Sequence, residues 1–119
     1  MKQISACKLS VVMVSAIAAM TLALPAAAMD ADAAKDFFKD KDCTKCHAPK
    51  KTKKGPSLAK IAEKYREKDK AADAEAKMYK HVTSSPKVKL EDGTEEEHKA
   101  LDKKDDAQIK NVIQWILSH

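Results

Sequence analysis

The chain has 119 residues, of which 44% are hydrophobic, 34% are charged and 4% are aromatic. The formal net charge is +5, and it falls to +3 if Lys2 and Lys8 are removed with a leader, because the first 28 residues contain no acidic side chain. This weak net charge does not support nucleic-acid binding.

The first 28 residues have the pattern of a cleavable signal peptide. Lys2 and Lys8 precede an apolar run over residues 9–24, and the run is followed by Pro25 and three alanines that end at Ala28. This pattern is typical of a secretory leader and not of a membrane span. We predict cleavage after Ala28, and residues 29–31 offer a second small-residue site. The exported chain, residues 29–119, is then one periplasmic domain without stable membrane insertion.

The first predicted element of that domain is a helix over residues 33–40. It places Phe37 and Phe38 shortly before a pair of cysteines, in a context otherwise rich in Asp and Lys. We expect one of the two rings to face the core.

Cys43, Cys46 and His47 form a C-x-x-C-H motif directly after this helix. The motif is typical of a covalently attached c-type haem, in which both thiols bond to the vinyl groups and the imidazole is the proximal iron ligand. A closed zinc site needs four protein ligands, and the chain has no second cysteine pair. Cys7 precedes the apolar run and is lost with the leader, which excludes a disulfide framework. A domain of about 90 residues has a marginal core by itself, so a buried haem would complete it.

A lysine-rich loop over residues 48–54 follows the motif and ends at Gly55 and Pro56, a pair that interrupts regular structure. Ser57 is placed to cap the next helix. Apolar side chains at helical spacing predict two helices, over residues 58–66 and 71–82.

Residues 87–103 have no helical period, and within them Asp92 and Gly93 predict the tight turn of a small hairpin. A last helix is predicted to begin at Asp105, which forms a capping box with Gln108. Its apolar stripe consists of Ile109, Val112, Ile113, Ile116 and Leu117. The predicted fold class is therefore all-α.

The order and spacing of these features resemble those of the small bacterial class I cytochromes c of the c551/c552 type, over essentially the whole exported chain. Phe38 precedes the motif, Pro56 comes nine residues after His47, two helices follow, and the terminal helix carries Trp115. The resemblance implies about four short helices around one covalent haem c, with Phe38 packed against the terminal helix. It also implies that the Pro56 carbonyl accepts a hydrogen bond from Nδ1–H of His47.

The sequence departs from this family on the distal side of the haem, where the family usually presents a methionine before the terminal helix. At that place the chain has His98, seventeen residues before Trp115, and we predict that His98 is the sixth iron ligand. Two alternatives are His81, on the second middle helix, and Met78, whose position on an apolar stripe is more typical of core packing. His119 is expected to fray.

An iron atom with protein ligands on both sides favours electron transfer over catalysis, so the sequence predicts a soluble one-electron shuttle and not an enzyme. Imidazole in place of a thioether, next to acidic residues 95–97, predicts a lowered reduction potential. If His98 does not bind, the alternative is a gas-binding sensor or weak peroxidase with an open or displaceable sixth site.

The resemblance implies redox protein partners, such as multihaem cytochromes or inner-membrane electron-transfer complexes. Charged groups would orient the molecule toward them, since lysines crowd the attachment side and acids occupy residues 91–97 on the distal side. The lysines are Lys45, Lys50, Lys51, Lys53 and Lys54.

Overall fold

The computed structural model describes residues 28–119, so the predicted leader lies outside the described residues except for Ala28. The described part contains four α-helices: α1 (Ala31–Asp40), α2 (Leu58–Lys68), α3 (Ala71–Thr83) and α4 (Asp106–Leu117). A two-stranded hairpin, β1 (Lys87–Lys89) and β2 (Glu95–Glu97), lies between α3 and α4. These elements confirm the predicted all-α class. Within residues 28–119, no helix is long and apolar enough to span a bilayer.

Helix α1 begins two residues earlier than predicted because Asp30 caps it. The Asp30 carboxylate accepts hydrogen bonds from the backbone N–H groups of Asp32 (3.1 Å) and Ala33 (3.0 Å), which have no acceptor inside the helix. The backbone of Asp30 is itself held by the Asn111 side chain of α4, through two hydrogen bonds of 2.8 Å. The start of α1 is therefore fastened to the middle of α4.

Helices α1 and α4 pack against each other through the core. The rings of Phe38 and Trp115 meet edge to face, with centroids 5.5 Å apart and planes at 68°, a favoured geometry for aromatic pairs. Ile109 and Ile113 of α4 belong to the same buried cluster. The implied contact between Phe38 and the terminal helix is thus present.

Both Phe37 and Phe38 are buried, so the expectation that one ring alone faces the core is wrong. Lys41 accounts for the difference, because its Nζ lies 5.2 Å from the centroid of Phe37 and 2.8 Å from the Asp105 carboxylate. The lysine stem covers the ring while the ammonium group stays paired. Asp105 is 64 residues away in sequence, so no local pattern indicates this cover.

Helices α2 and α3 present the apolar faces that the sequence predicted. Ser57 caps α2, its hydroxyl accepting from the backbone N–H of Lys60 at 3.2 Å, as predicted. Leu58 and Ala62 of α2 and Met78 of α3 are buried. Both helices pack against α4, so α4 contacts each of the other three helices.

The predicted hairpin is present and leads directly into His98. Three residue pairs lie opposite each other across it: Lys87 and Glu97, Val88 and Glu96, Lys89 and Glu95. Opposite charges in facing positions stabilise a two-stranded sheet. At the turn, Gly93 has a φ of 87°, a backbone conformation that favours glycine.

The capping box predicted from Asp105 and Gln108 is wrong. Asp105 makes no capping hydrogen bond, because Lys41 engages its carboxylate across the interface of α1 and α4. The chain enters α4 through a short 3-10 turn, Lys103–Asp105, in which the Asp102 carboxylate accepts a backbone hydrogen bond of 3.0 Å.

The expected fraying of His119 is also wrong. Its Nδ1 donates to the Trp115 carbonyl at 2.9 Å, and the two rings meet edge to face with centroids 4.7 Å apart. Arg66 of α2 donates to the carbonyls of Leu117 (3.1 Å) and His119 (2.8 Å). These contacts fasten the last turn of α4 to α2.

Candidate haem site

The C-x-x-C-H motif folds into one tight turn shortly after α1. Asp42 adopts a left-handed backbone conformation with a φ of 62°, and the 3-10 turn Cys43–Lys45 follows it. The Cys43 carbonyl accepts hydrogen bonds from the N–H groups of both Cys46 (3.2 Å) and His47 (3.0 Å). The turn therefore gathers all three functional side chains on one short segment.

The two motif cysteines are half-buried and are not joined by a disulfide. Burial raises the pKa of the Cys43 thiol, so this group stays protonated at neutral pH. A protonated thiol contributes both sulfur and hydrogen when it adds across a vinyl group, and thioether formation needs no oxidant. The chemical state of the pair therefore fits covalent attachment of haem.

His47 is held by Pro56 in the way that the resemblance implied. Its Nδ1 lies 2.7 Å from the Pro56 carbonyl oxygen, and because a carbonyl oxygen only accepts, Nδ1 must carry the hydrogen. The other ring nitrogen, Nε2, keeps the lone pair that an iron ligand needs. Burial lowers the pKa of His47, the hydrogen bond to Pro56 opposes this, and nearby His98 lowers it further. The imidazole is therefore neutral at pH 7.

Gly55 belongs to the site, although the sequence indicated only that it interrupts regular secondary structure. A Cβ atom there would lie 2.7 Å from Cε1 of His47 and 3.2 Å from its Nδ1. The Gly55 N–H donates to the Cys46 carbonyl at 2.9 Å, which holds the backbone against the imidazole. The sequence shows a Gly-Pro pair after the motif. The reason why glycine is required there, its close approach to the His47 ring, becomes visible only in the folded loop.

His98 directly follows β2, and a hydrogen bond of 2.8 Å from its N–H to the Pro86 carbonyl anchors it. Its side chain is half-buried, and its Nδ1 lies 3.0 Å from the Lys99 carbonyl oxygen. Because a carbonyl oxygen only accepts, Nδ1 of His98 carries a hydrogen, as in His47, and Nε2 is the ring nitrogen that could bind a metal. Both imidazoles are thus in the same tautomer, the one that leaves Nε2 free for a metal.

The two rings lie at the separation that a shared iron atom requires. The ring centroids of His47 and His98 are 6.3 Å apart, and the ring planes make an angle of 37°. An imidazole nitrogen binds a metal at about 2.0 Å, and the centroid lies roughly 1 Å behind that nitrogen, so two imidazoles on opposite sides of one metal have centroids about 6 Å apart. The separation of His47 and His98 therefore fits two imidazoles that would hold one metal atom between them.

Two further contacts join the attachment loop to the loop that carries His98. The Glu91 N–H donates to the Lys54 carbonyl at 3.2 Å, and the Lys99 ammonium lies 3.5 Å from the Asp42 carboxylate. Asp42 directly precedes the motif, and Lys99 directly follows His98. The chain itself thus holds the two loops together, in addition to any bond through iron.

The basic loop and the acidic block lie side by side. Lys53 and Lys54 line one shallow cavity together with Glu91, Asp92 and Glu96. The predicted separation of these charges onto different sides of the molecule is therefore wrong, because the hairpin folds back against the attachment loop.

The two alternatives for the sixth ligand occupy different surroundings. Met78 is 3% exposed and belongs to the buried core cluster, in line with the core role that its apolar stripe predicted. His81, in the last turn of α3, lies against His98, with ring centroids 4.8 Å apart and planes at 64°. The separation of the His98 and His47 rings, 6.3 Å between centroids, matches a shared metal.

Comparison with known proteins identifies the family to which the chain is similar. The sequence model of the family described as Cytochrome c matches residues 31–119. Among solved structures, the chain is similar to the class 1 cytochrome MtoD from Sideroxydans lithotrophicus ES-1, with 53% identity and a TM-score of 0.70, over 76% of this chain and 97% of that chain. The comparison with curated proteins found no match.

These matches agree with the geometry of the attachment turn, and together they establish the cofactor as a covalently bound haem c. The expectation of an electron carrier rather than an enzyme is confirmed. The chain belongs to the cytochrome c family, as a class I monohaem cytochrome that transfers electrons.

Proposed function

We propose that this cytochrome is a periplasmic one-electron carrier whose iron is bound by His47 and His98. The observation that supports the proposal is the 6.3 Å separation of the two rings, each with Nδ1 engaged by a backbone carbonyl. Cys43 and Cys46 anchor the haem, which supplies the one-electron iron couple when bound. With both axial positions taken by side chains, a substrate has no free place on the metal.

Contacts with the backbone restrain both proposed ligands. Gly55 and Pro56 restrain His47, while His98 is anchored by its own backbone and by the Leu101 N–H, which donates to the Val82 carbonyl at 2.7 Å. A site whose ligands do not move between oxidation states favours electron transfer, since little rearrangement accompanies each transfer.

The same ligand set supports a lowered reduction potential. A thioether ligand raises the potential of haem iron, and His98 lies where cytochromes of this type usually carry methionine. The strand Glu95–Glu97 is exposed and directly precedes His98. Its negative charge favours ferric iron, although solvent and salt screen the effect.

Periplasmic location and redox partners complete the proposal. The apolar leader supports export, with cleavage after Ala28. Met29 packs against the core and Asp30 caps α1, so the folded domain begins where the leader would end. We propose multihaem cytochromes or inner-membrane electron-transfer complexes as the partners.

Optical and electron paramagnetic resonance (EPR) spectra of the purified ferric protein test the ligand set. We expect a low-spin haem with two imidazole ligands and no charge-transfer band from methionine sulfur. The appearance of that band would assign the sixth position to Met78 and contradict the proposal. A high-spin protein that binds carbon monoxide or peroxide without any substitution would favour the gas sensor or weak peroxidase.

The substitution His98→Ala tests the distal ligand directly. We expect a largely high-spin ferric haem that returns to low spin when imidazole is added, because the sixth position is opened. Met78→Leu is the matched control and should keep the wild-type spectrum, since such a volume-conserving change in a core costs under about 1.5 kcal/mol. His98→Met should raise the reduction potential. An unchanged low-spin spectrum in His98→Ala would assign the position to His81.

A further inference from the structure

His81 is the one imidazole at the site that the proposed function does not use. It lies in the last turn of α3, half-buried, with its ring centroid 4.8 Å from that of His98 and the two planes at 64°. The two rings therefore pack edge to face, a favoured geometry for planar rings.

The backbone fixes the relative position of these two rings. The Leu101 N–H donates to the Val82 carbonyl at 2.7 Å, and the His98 N–H donates to the Pro86 carbonyl at 2.8 Å. The first bond ends one residue after His81, and the second begins at His98 itself. The contact between the rings is thus supported by backbone hydrogen bonds next to each of them.

A comparison of the two candidate ligands indicates what this contact does. One hydrogen bond at Nδ1 leaves an imidazole free to turn about the axis of that bond, so a second contact is needed to fix its plane. At His47 the second contact is the backbone of Gly55, which closely approaches the ring. At His98, beside the hydrogen bond to Lys99, the second contact is the ring of His81.

We propose that His81 is a positioning residue that sets the plane of the His98 imidazole, and thereby the angle between the two axial ligand planes, without binding iron. The inference rests on the proposed ligation by His98. That angle is 37° between the His47 and His98 rings. It governs how the d orbitals of low-spin ferric iron split, and the g values in an EPR spectrum report the splitting. Groups that orient a metal-bound histidine also affect how firmly it is held.

The test compares His81→Leu with His81→Phe in the mature holoprotein. The leucine variant loses the planar ring, and we expect it to stay low-spin but with a shifted largest g value. We also expect cyanide to displace the distal ligand about tenfold more readily, as is typical when an orienting group is removed. The phenylalanine variant keeps a ring against His98 and should retain the g values of the wild type. Lys80→Ala, at the exposed neighbouring position, is the control and should change neither readout.

The outcomes separate this inference from the function on which it rests. A wild-type spectrum without two imidazole ligands overturns both. A wild type with two imidazole ligands, combined with wild-type g values and cyanide affinity in His81→Leu, overturns the positioning role alone. A high-spin His81→Leu protein would show that His81 is itself the ligand. If the g values of His81→Phe shifted as far as those of His81→Leu, a ring at position 81 would not set the plane of His98.

Discussion

The two candidate iron ligands depend on different kinds of neighbours. His47 is oriented by Gly55 and Pro56, which lie in the same loop. His98 is oriented by the adjacent Lys99 and by His81, which comes from a helix on the other side of the hairpin. Substitutions near His47 should therefore change the orientation of its ring through crowding within the same loop. Substitutions near His98 should change the orientation of its ring through the packing of α3.

Gly55→Ala should weaken the proximal side of the site. The added Cβ would lie 2.7 Å from Cε1 of His47, so either the ring or the loop must shift, and overpacking of this kind costs about 1–3 kcal/mol. We expect a lower yield of holoprotein, a changed Soret spectrum and a lower urea midpoint.

Gly93→Ala is the matched control for this variant. A Cβ at position 93 meets nothing within 4 Å, but the φ of 87° is strained for alanine, at a cost of about 1–2 kcal/mol. The control should weaken the hairpin and leave the Soret spectrum unchanged. If Gly55→Ala also left the Soret spectrum unchanged, the close approach of position 55 to His47 would not affect the haem site.

Helices α1 and α4 are joined at the start of α1, in its last turn and directly after its end. The contacts are the hydrogen bonds of Asp30 with Asn111, the ring pair of Phe38 and Trp115, and the ion pair of Lys41 and Asp105. Since Asp105 serves this interface, it does not cap its own helix.

Asn111→Ala removes both hydrogen bonds that fasten the start of α1. Each such bond contributes about 0.5–1.5 kcal/mol, so we expect a loss of about 1–3 kcal/mol in the free energy of unfolding, measured by circular dichroism in urea. Gln108→Ala, on the same helix, should stay within about 0.5 kcal/mol of wild type. A larger loss in the Gln108 variant would mean that the capping box forms after all.

Tyr79→Phe tests the link between α3 and the first turn of α4 through its pH dependence. The Tyr79 hydroxyl donates to the Asp106 carboxylate at 2.8 Å, and Lys110 together with this hydroxyl holds the pKa of Asp106 below its ordinary 3.8. A lowered carboxyl pKa contributes stability that is present above 3.8 and is lost as the pH falls through the folded value. The hydrogen bond to Asp106 in turn raises the pKa of Tyr79 above its ordinary 10.0. The bond is therefore also lost when the pH rises through the raised pKa of Tyr79 in the folded protein.

The wild type should therefore be more stable than the Tyr79→Phe variant between about pH 5 and 9, and the difference should shrink in acid and in strong base. Urea midpoints measured across this range provide the check. A difference that is independent of pH would contradict the hydrogen bond to an ionised Asp106.

The features that the sequence predicted correctly are local ones. Ser57 as a cap and the turn at Gly93 follow from the preferences of single residues, and the helices follow from apolar spacing. The bond from His47 to Pro56 was expected because nine residues separate them in a recognisable motif. The second buried ring, Phe37, and the contact of His81 with His98 were missed, since each depends on partners that only the folded chain brings together.

For the whole molecule, the core and the proposed iron ligands belong to different parts of the chain. The buried cluster lies mainly on the helices, with α4 in contact with the other three. The ligands lie on loops outside it: between Ser84 and Leu101, Leu101 is the one buried residue in the described structure. The polypeptide core therefore stabilises the helices, while the loops depend on hydrogen bonds and on the cofactor.

This division predicts how the protein responds to loss of haem. The double substitution Cys43→Ala and Cys46→Ala should prevent covalent attachment, so that mass spectrometry after denaturation finds added haem on the wild type alone, on a chain that begins near Met29. In the haem-free variant, hydrogen exchange should accelerate most in residues 42–57 and 84–101, and α1 and α4 should keep more protection, because local stability follows buried apolar contacts. The melting temperature should fall as well, since a ligand that binds the native state stabilises it. Equal protection of both loops with and without haem would show that the chain alone holds His47 and His98 in place.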